Sequence, residues 1–321
     1  MHPEDHPDEI AKVLARGETP AGSHRPIMVE EVLEALDPRP GQTVMDCTLG
    51  YGGHARELYA AVQPGGRLLA VDVDPFELPR TQSRLKELGY PEPSLLVRRM
   101  NFSGVPDWIA EITDSGVDIL FADLGLSSMQ LDDPARGFSY KFQGPLDMRM
   151  SPEQGPSAAT WLAHATTAEL TNILEENADL SGVEDLSQAI LQAHDRDPKQ
   201  STRDLAGVIR HEVMRRPQEF DDTPDGIVRR VFQALRIAVN GEFDALDHLL
   251  EGLPSCMKSG GRVAFLTFHS GEDRRVKKAF KAGLNRGDFS EVARRVIRPS
   301  PEEQRANSRS GAAKLRVAIR A

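Results

Sequence analysis

The residues best suited to chemistry lie in four short polar clusters, each placed where a run of aliphatic residues ends. The first is Asp46-Cys47-Thr48-Leu49-Gly50-Tyr51-Gly52-Gly53-His54. Its glycines permit positive φ and let a ligand approach the backbone closely. The second cluster, Asp72-Val73-Asp74, stands where dinucleotide-binding sheets place an acidic residue that accepts hydrogen bonds from ribose hydroxyls. That marks Asp72 and implies an adenosine-containing ligand. The third, Met100-Asn101-Phe102, offers the Phe102 ring to an adenine. The fourth, Asp123-Leu124-Gly125, brings a carboxylate that can accept from an amino group or offset a positive charge.

Such residues converge only if the runs before them are neighbouring strands. Residues 43–47, 67–73, 95–98 and 117–122 are short and rich in aliphatic side chains, with helical or loop segments between them. Strands alternating with helices imply βαβ units and a parallel sheet. Near-continuous apolar strands fit a sheet covered on both faces. In open α/β sheets ligands bind at the carboxyl ends of the strands, which is where the four clusters stand. The pattern changes after Gln130. Residues 132–150 are rich in Gly, Pro, Asp and Arg and read as a long ordered loop. Residues 157–216 give only helical signals, with N-caps expected at Ser157, Thr166 or Thr167, and Ser201 or Thr202. The α/β pattern then resumes with helices over 227–239 and 242–257, a turn at Ser259-Gly260-Gly261, and strands over 262–268 and 314–319. The expected fold is therefore α/β, a doubly wound Rossmann-like sheet with an inserted small all-helical domain. The expected boundaries are a leader over 1–22, a discontinuous sheet domain over 23–130 and 227–321, and the insertion over 131–226.

A chain of 321 residues with 39% hydrophobic and 27% charged residues is long enough for about two globular domains. No run reaches the ~18 apolar residues of a membrane span, and the polar N-terminus lacks the layout of a signal peptide; the expected compartment is the cytoplasm, with no membrane partner. Two scattered cysteines, Cys47 and Cys256, make neither a disulfide framework nor a zinc site, and no metal is expected. The net charge of −10 conceals an asymmetry: residues 274–321 hold 14 Lys and Arg against 4 Asp and Glu. A basic end on an acidic chain is either a polyanion footing or a solvated face. Arg274, Arg275, Lys277, Lys278, Arg294, Arg295, Arg298, Arg305 and Arg309 are the candidate phosphate contacts. Phe138 and Tyr140, beside Arg136, either stack on bases or pack in a core.

Gly50-x-Gly52-x-x-Ala55 also fits a loose nicotinamide-dinucleotide fingerprint, so an NAD-dependent oxidoreductase competes. Against it, no second mononucleotide-binding half is evident, and Asp46, four residues before Gly50, suits an S-adenosylmethionine (SAM) site better. At this point the blocks resemble a known family. These are His24-Arg-Pro-Ile-Met-Val-Glu-Glu-Val-Leu33, Asp46 to His54, Asp123-Leu-Gly-Leu-Ser-Ser-Met-Gln-Leu-Asp132, Arg136-Gly-Phe-Ser139, Gly144-Pro-Leu-Asp-Met-Arg-Met150, Phe232-Gln-Ala-Leu-Arg-Ile-Ala-Val-Asn240 and Phe268-His-Ser-Gly-Glu-Asp-Arg274. In combination and order they resemble the bacterial 16S rRNA cytosine-N4 methyltransferases, the MraW (RsmH) family. The resemblance implies a SAM-dependent enzyme that methylates the exocyclic N4 of a decoding-region cytidine. It also implies an inserted substrate-recognition domain, and 16S rRNA, within a small ribosomal subunit particle, as partner; a homodimer is an admissible assembly. By block, SAM contacts would come from Gly50, Gly52, Gly53, His54, Asp72, Phe102, Asp123 and Gln130. Gly271 stands where the family pattern has Leu, and such departures admit a third reading, a SAM-binding ribosome-assembly factor that no longer catalyses.

Methyl transfer to an amino nitrogen needs positioning first and a proton acceptor second. The candidates are Asp123, Ser127, Ser128, Asp147, Asn240 and His269. Asp147 can orient substrate or simply pair with Arg149. Asn240 can touch a base or end its helix. His269, just after a strand, is either a rim residue that does chemistry or a hydrogen-bonded structural histidine.

Overall fold

A computed structural model describes residues 26–90 and 93–321; the leader expected over 1–22 and the start of the His24 block lie outside them. The chain divides into two compact units, one running up to Gly125 and resuming at Asp244, the other Leu126–Phe243.

The first unit is built on seven strands: β1 (Thr43–Asp46), β2 (Arg67–Asp72), β3 (Leu95–Arg99), β4 (Val117–Asp123), β5 (Met257–Thr267), β6 (Phe289–Val292) and β7 (Lys314–Arg320). They lie in the order β3-β2-β1-β4-β5-β7-β6. The first five are parallel, and β7 runs antiparallel to both β5 and β6. Because successive side chains in a strand point to opposite faces, each strand feeds two cores. Met45, Leu69, Val71, Leu120 and Phe265 face one side, where Trp108, Leu249, Leu253 and Phe280 cover them. Val44, Leu68, Ala70, Ile119 and Phe121 face the other, beneath Val32, Leu36, Leu58 and Leu85. Helices on both faces make the sheet doubly wound. The chain leaves β1 toward β2 on one side and returns to β4 on the other, so a crevice opens at the carboxyl ends of β1 and β4.

Beyond β4 the sheet departs from a dinucleotide fold. An antiparallel β7 inserted between β5 and β6 replaces the second βαβ half that a nicotinamide dinucleotide uses. Two local expectations are also corrected. Ser259-Gly260-Gly261 is not a turn ahead of a strand but lies within β5, with Gly260 at φ +75 and a register shift between Val117 and Ile119 on β4. The edge strand β6 gave no signal in the sequence because it is four residues long and buries only Phe289.

The second unit is helical: Ala158–His164, Thr167–Ala178, Glu184–Arg196, Thr202–Arg215 and Pro224–Asn240. Ser157, Thr166 and Ser201 cap their helices, the last two in capping boxes with Glu169 and Asp204. Ile227, Val231 and Leu235 of the last helix share one core with Leu170, Leu174, Leu205 and Ile209. That helix therefore belongs to this unit by its packing, although the sequence pattern reads it as the resumption of the sheet domain. The long loop is ordered by backbone contact. A Cβ at Gly137 would lie 2.1 Å from Pro145 O, and one at Gly144 would lie 1.9 Å from Pro134 O. The Arg136 guanidinium donates to the carbonyls of Arg149 and Met150, and Met148 N–H donates to Arg136 O.

Candidate active site

At the end of β1 the chain turns through Gly50 (φ +47) and Gly52 (φ +77) into the helix Gly53–Ala61. Side chains pin this turn from three directions. Asp46 Oδ1 accepts from Thr48 N–H at 2.9 Å, and Thr48 Oγ1 accepts from Asp123 N–H at 2.7 Å, which ties the ends of β1 and β4 together. Asp72 Oδ2 accepts from Gly50 N–H at 2.7 Å, while Asp72 Oδ1 accepts from Asp74 N–H at 2.9 Å. Thr81 Oγ1 donates to Gly50 O at 2.6 Å. A Cβ on Gly52 would lie 2.9 Å from Thr81 Cγ2, and one on Gly53 only 2.3 Å from Pro26 Cγ. The glycines are thus required by φ at Gly52 and by crowding at Gly53. Each Asp72 oxygen keeps a further lone pair after its backbone bond, so the carboxylate can still take two vicinal hydroxyls.

His54 is buried. Its Nε2 lies 2.9 Å from Ile27 O, which assigns the proton there, and its Nδ1 lies 3.5 Å from Asp123 Oδ2. Burial lowers the imidazole to about 4, so it is neutral near pH 7. Phe102 begins a short 3₁₀ turn after β3, capped by Asn101, and packs part-buried against the core of that face. At the end of β5, His269 precedes the helix Ser270–Arg286, and its Nε2 lies 2.9 Å from Oε1 of the buried Glu272. Glu272 Oε2 accepts from Phe268 N–H.

The electrostatics of this rim are its strongest feature. Burial pushes Asp46 up to about 7, and the neighbouring Asp72 charge adds to the rise. Burial likewise raises Asp123 to about 8, with Asp46 and Glu272 contributing. Asp72 is raised as well, chiefly by burial. Among the described residues no Lys or Arg is ion-paired with Asp46, Asp72 or Asp123. Carboxylates held in a crevice without cations favour a ligand that brings positive charge. SAM, with a sulfonium, an ammonium and an adenosyl ribose, fits this set. The pyrophosphate of a nicotinamide dinucleotide would add negative charge to it. Among the described residues no group of His, Cys, Asp and Glu is arranged to hold a metal ion.

The raised acids predict how stability depends on pH. Asp46 and Asp123 have folded values of about 7 and about 8 against an ordinary value of 3.8. Between those limits the folded state binds more protons than the unfolded, so stability falls as pH rises from about 5 to about 8.5. The slope is at most ~1.4 kcal/mol per pH unit for each proton. Urea denaturation midpoints across that range in the absence of ligand check this; a midpoint that climbs with pH contradicts it.

The remaining sequence candidates lie in the helical unit, where they make structural bonds. Gln130 is buried and forms a capping box with Ser127: its Oε1 accepts from Ser127 N–H and its own N–H donates to Ser127 Oγ. Asp147 is bound by Arg149 through two side-chain hydrogen bonds of 2.9 and 2.7 Å. Partial burial would raise its carboxyl, but the bonds and charge of Arg149 hold it below the usual range. Asn240 clamps the loop: Oδ1 accepts from Met150 N–H at 2.7 Å, and Nδ2 donates to Met148 O and to Arg236 O, each at 2.8 Å. Met148 has φ +60, a backbone state that needs such support. Asn240→Ala is expected to release the Asp147–Met150 turn and lower stability by ~1–2 kcal/mol, while SAM affinity stays within roughly twofold. Urea denaturation beside calorimetry checks the split.

Of the two readings offered for Phe138 and Tyr140, the structure takes core packing. Phe138 is buried, and Tyr140 packs edge-on to Phe232 in the helical core, so neither presents a face for stacking. Within the basic end, Arg275 is paired with Asp247 and is not a free cation. The sequence reading missed Thr48 and Glu272. Thr48 carries a signal in the Asp-x-Thr spacing, but Glu272 becomes a site group only through burial.

A model of the MraW methylase family matches residues 21–321 of this chain. Among proteins of curated name, the chain is 46% identical over 323 residues to Ribosomal RNA small subunit methyltransferase H 2 of Alkaliphilus metalliredigens, covering 100% of the chain and 92% of that protein. It is 44% identical to Ribosomal RNA small subunit methyltransferase H 1 of Agathobacter rectalis, with the same coverage. Identity is also 44% to the protein of that name from Lachnoclostridium phytofermentans, over 99% of the chain and 87% of the relative.

Proposed function

Because the chain belongs to the MraW methylase family, whose members are SAM-dependent methyltransferases, we propose that it methylates the exocyclic N4 of a cytidine in the decoding region of 16S rRNA, in the cytoplasm. The observation that carries the cofactor half of this reading is the rim at the ends of β1, β2 and β4. There Gly50 to Gly53 form a cradle, and Asp46, Asp72 and Asp123 gather three carboxyl groups, each raised by burial and without a Lys or Arg partner among the described residues, that a positively charged ligand would ionise. The names of the relatives support the rRNA half.

SAM supplies an electrophilic methyl on a sulfonium when bound. The chain's part is to bind and orient. Gly50, Gly52 and Gly53 would let the ligand approach the backbone, Asp72 would accept from the ribose hydroxyls, and Phe102 would supply an apolar surface for the adenine. Asp123 would ionise beside the ligand's positive charge and offset it; in the free protein a protonated Asp123 can instead donate to His54 Nδ1. His54 thus serves as a neutral acceptor behind Asp123. The cytidine N4 lone pair is delocalised into its ring, so the amino group must be held and its proton accepted. Asp147, held low by Arg149, is a poor proton acceptor and is assigned to orienting substrate, with Asn240 as the positioning residue that fixes its loop. His269 has both ring nitrogens buried against the start of its helix, with Nε2 2.9 Å from Glu272, so it is assigned to holding the turn after β5, and the N4 proton is left to water.

Nucleoside mass spectrometry tests the proposal. Purified protein with labelled SAM and small ribosomal subunits from cells lacking the protein is expected to place label in N4-methylcytidine. Label in another nucleoside corrects the target. Bound SAM with no label in RNA overturns the catalytic reading in favour of an assembly factor.

A further inference from the structure

The loop that buries Phe138 and packs Tyr140 half-buried against the helical core turns a third aromatic outward. Phe142 is 43% exposed, one of few large apolar side chains so placed among the described residues. Its backbone is fixed. Thr202 Oγ1 donates to Phe142 O at 2.7 Å, Gly144 N–H donates to Thr202 Oγ1, and Thr202 N–H donates to Gly144 O. Next to it, Arg203 donates through Nε and Nη2 to Lys141 O, at 3.2 and 2.9 Å. This holds the guanidinium against the backbone of the residue that precedes the aromatic. Lys141 and Arg203 are both exposed, and neither is ion-paired among the described residues. The nearest acid in sequence, Asp204, is turned away into its capping box, where both bonds come from Ser201.

An exposed ring on a clamped loop has no folding role that its burial would explain. Two cations beside it exclude a purely apolar partner. A rigid aromatic face flanked by positive charge is the arrangement on which unpaired nucleotides stack while their phosphates are neutralised. We infer that Phe142, with Lys141 and Arg203, forms a stacking platform for an unpaired base of the RNA substrate, separate from the nucleotide that is methylated. This rests on the reading that the substrate is RNA.

The test uses the full chain and a fluorescent single-stranded oligoribonucleotide of about 12 nucleotides, together with the same strand made abasic at every position. Wild-type protein is expected to prefer the base-bearing strand. Phe142→Ala should weaken that strand by roughly tenfold, bring it level with the abasic one, and leave SAM affinity unchanged. Phe142→Trp should keep the affinity, and its new indole fluorescence should be quenched by the bound strand. Lys141→Ala and Arg203→Ala should each lower the slope of log affinity against log salt by about 0.7. The inference is overturned if wild type fails to bind the oligonucleotide, if it does not distinguish the abasic strand, or if Phe142→Ala binds as wild type does. Methyl transfer to small subunits, measured on the same samples, separates the two readings. Loss of the platform effect with transfer intact overturns only this inference, whereas a platform effect without transfer overturns only the proposed reaction.

Discussion

Asp123→Asn is expected to stabilise the ligand-free protein at alkaline pH while weakening SAM about a hundredfold. The side chain sits at the end of β4, 29% exposed, facing the neutral His54 and raised to about 8 by burial and by the charges of Asp46 and Glu272. An amide has the shape of the protonated acid and cannot ionise. Between the ordinary value of 3.8 and about 8 the unfolded wild type ionises while the folded acid keeps its proton, a gain for the unfolded chain that the amide lacks. The variant's advantage therefore opens in that window, grows as pH rises and levels off above about pH 8. Binding responds in the opposite direction. Removing one member of a desolvated charge pair costs about 2–5 kcal/mol, and about 2.8 kcal/mol, in the lower half of that range, corresponds to two orders of magnitude. Urea denaturation at pH 6 and pH 8.5, with calorimetry at the higher pH, reads both effects. Unchanged affinity would remove Asp123 from the cofactor site.

Gly52→Ala should be the most damaging single methyl in the sheet unit. At φ +77 any L side chain is strained, at a cost of roughly 1–2 kcal/mol. Its Cβ would also stand 2.9 Å from Cγ2 of Thr81, which is fully buried and cannot swing away. Thr81 holds the Gly50 carbonyl, and Gly50 N–H in turn meets Asp72. Displacing Thr81 therefore carries to the ribose-binding carboxylate. The expected result is a melting temperature lower by several degrees (about 2–4 °C per kcal/mol for a domain of this size) and a kcat/KM lower by about 100-fold or more. Gly41→Ala is the control. Gly41 has φ +84 but nothing within 4 Å of a Cβ, and it precedes the opposite end of β1. It should lose stability and leave SAM affinity intact. If both variants bind SAM alike, the cradle is not formed by this turn.

The rim was legible in the sequence because each of its strands is an unbroken apolar run stopped by a residue that does not belong in a core. Asp46, Asp72 and Asp123 end β1, β2 and β4, and glycines follow β1 and β4 where the chain must reverse. The helical insertion was legible from its caps, Ser157, Thr166 and Ser201, which hydrogen-bond locally and so need no tertiary knowledge. What stayed hidden depends on contacts distant in sequence. Asn240 looks like a helix end, and only its bonds to Met148 and Met150, some 90 residues away, reveal a loop clamp. Phe138, Tyr140 and Phe142 sit on one short segment; which of them faces water is decided by the way Gly137 and Gly144 press against Pro145 and Pro134. The Gly260-Gly261 pair reads as a turn and is absorbed into β5, because Gly261 packs against the carbonyls of Val117 and Asp118.

Carboxylates at the sheet rim that have no Lys or Arg partner among the described residues select their ligand by its positive charge. The most direct measurement compares SAM with S-adenosylhomocysteine, which differs by one methyl and lacks the sulfonium charge, as the ratio of their dissociation constants from pH 6 to pH 8.5. Both ligands share the amino group and the adenosine, so those contributions cancel. As Asp46 and Asp123 ionise through about 7 and about 8, the preference for SAM should grow by at least tenfold across the range. A ratio that stays flat, or moves toward the uncharged thioether as pH rises, would contradict the account.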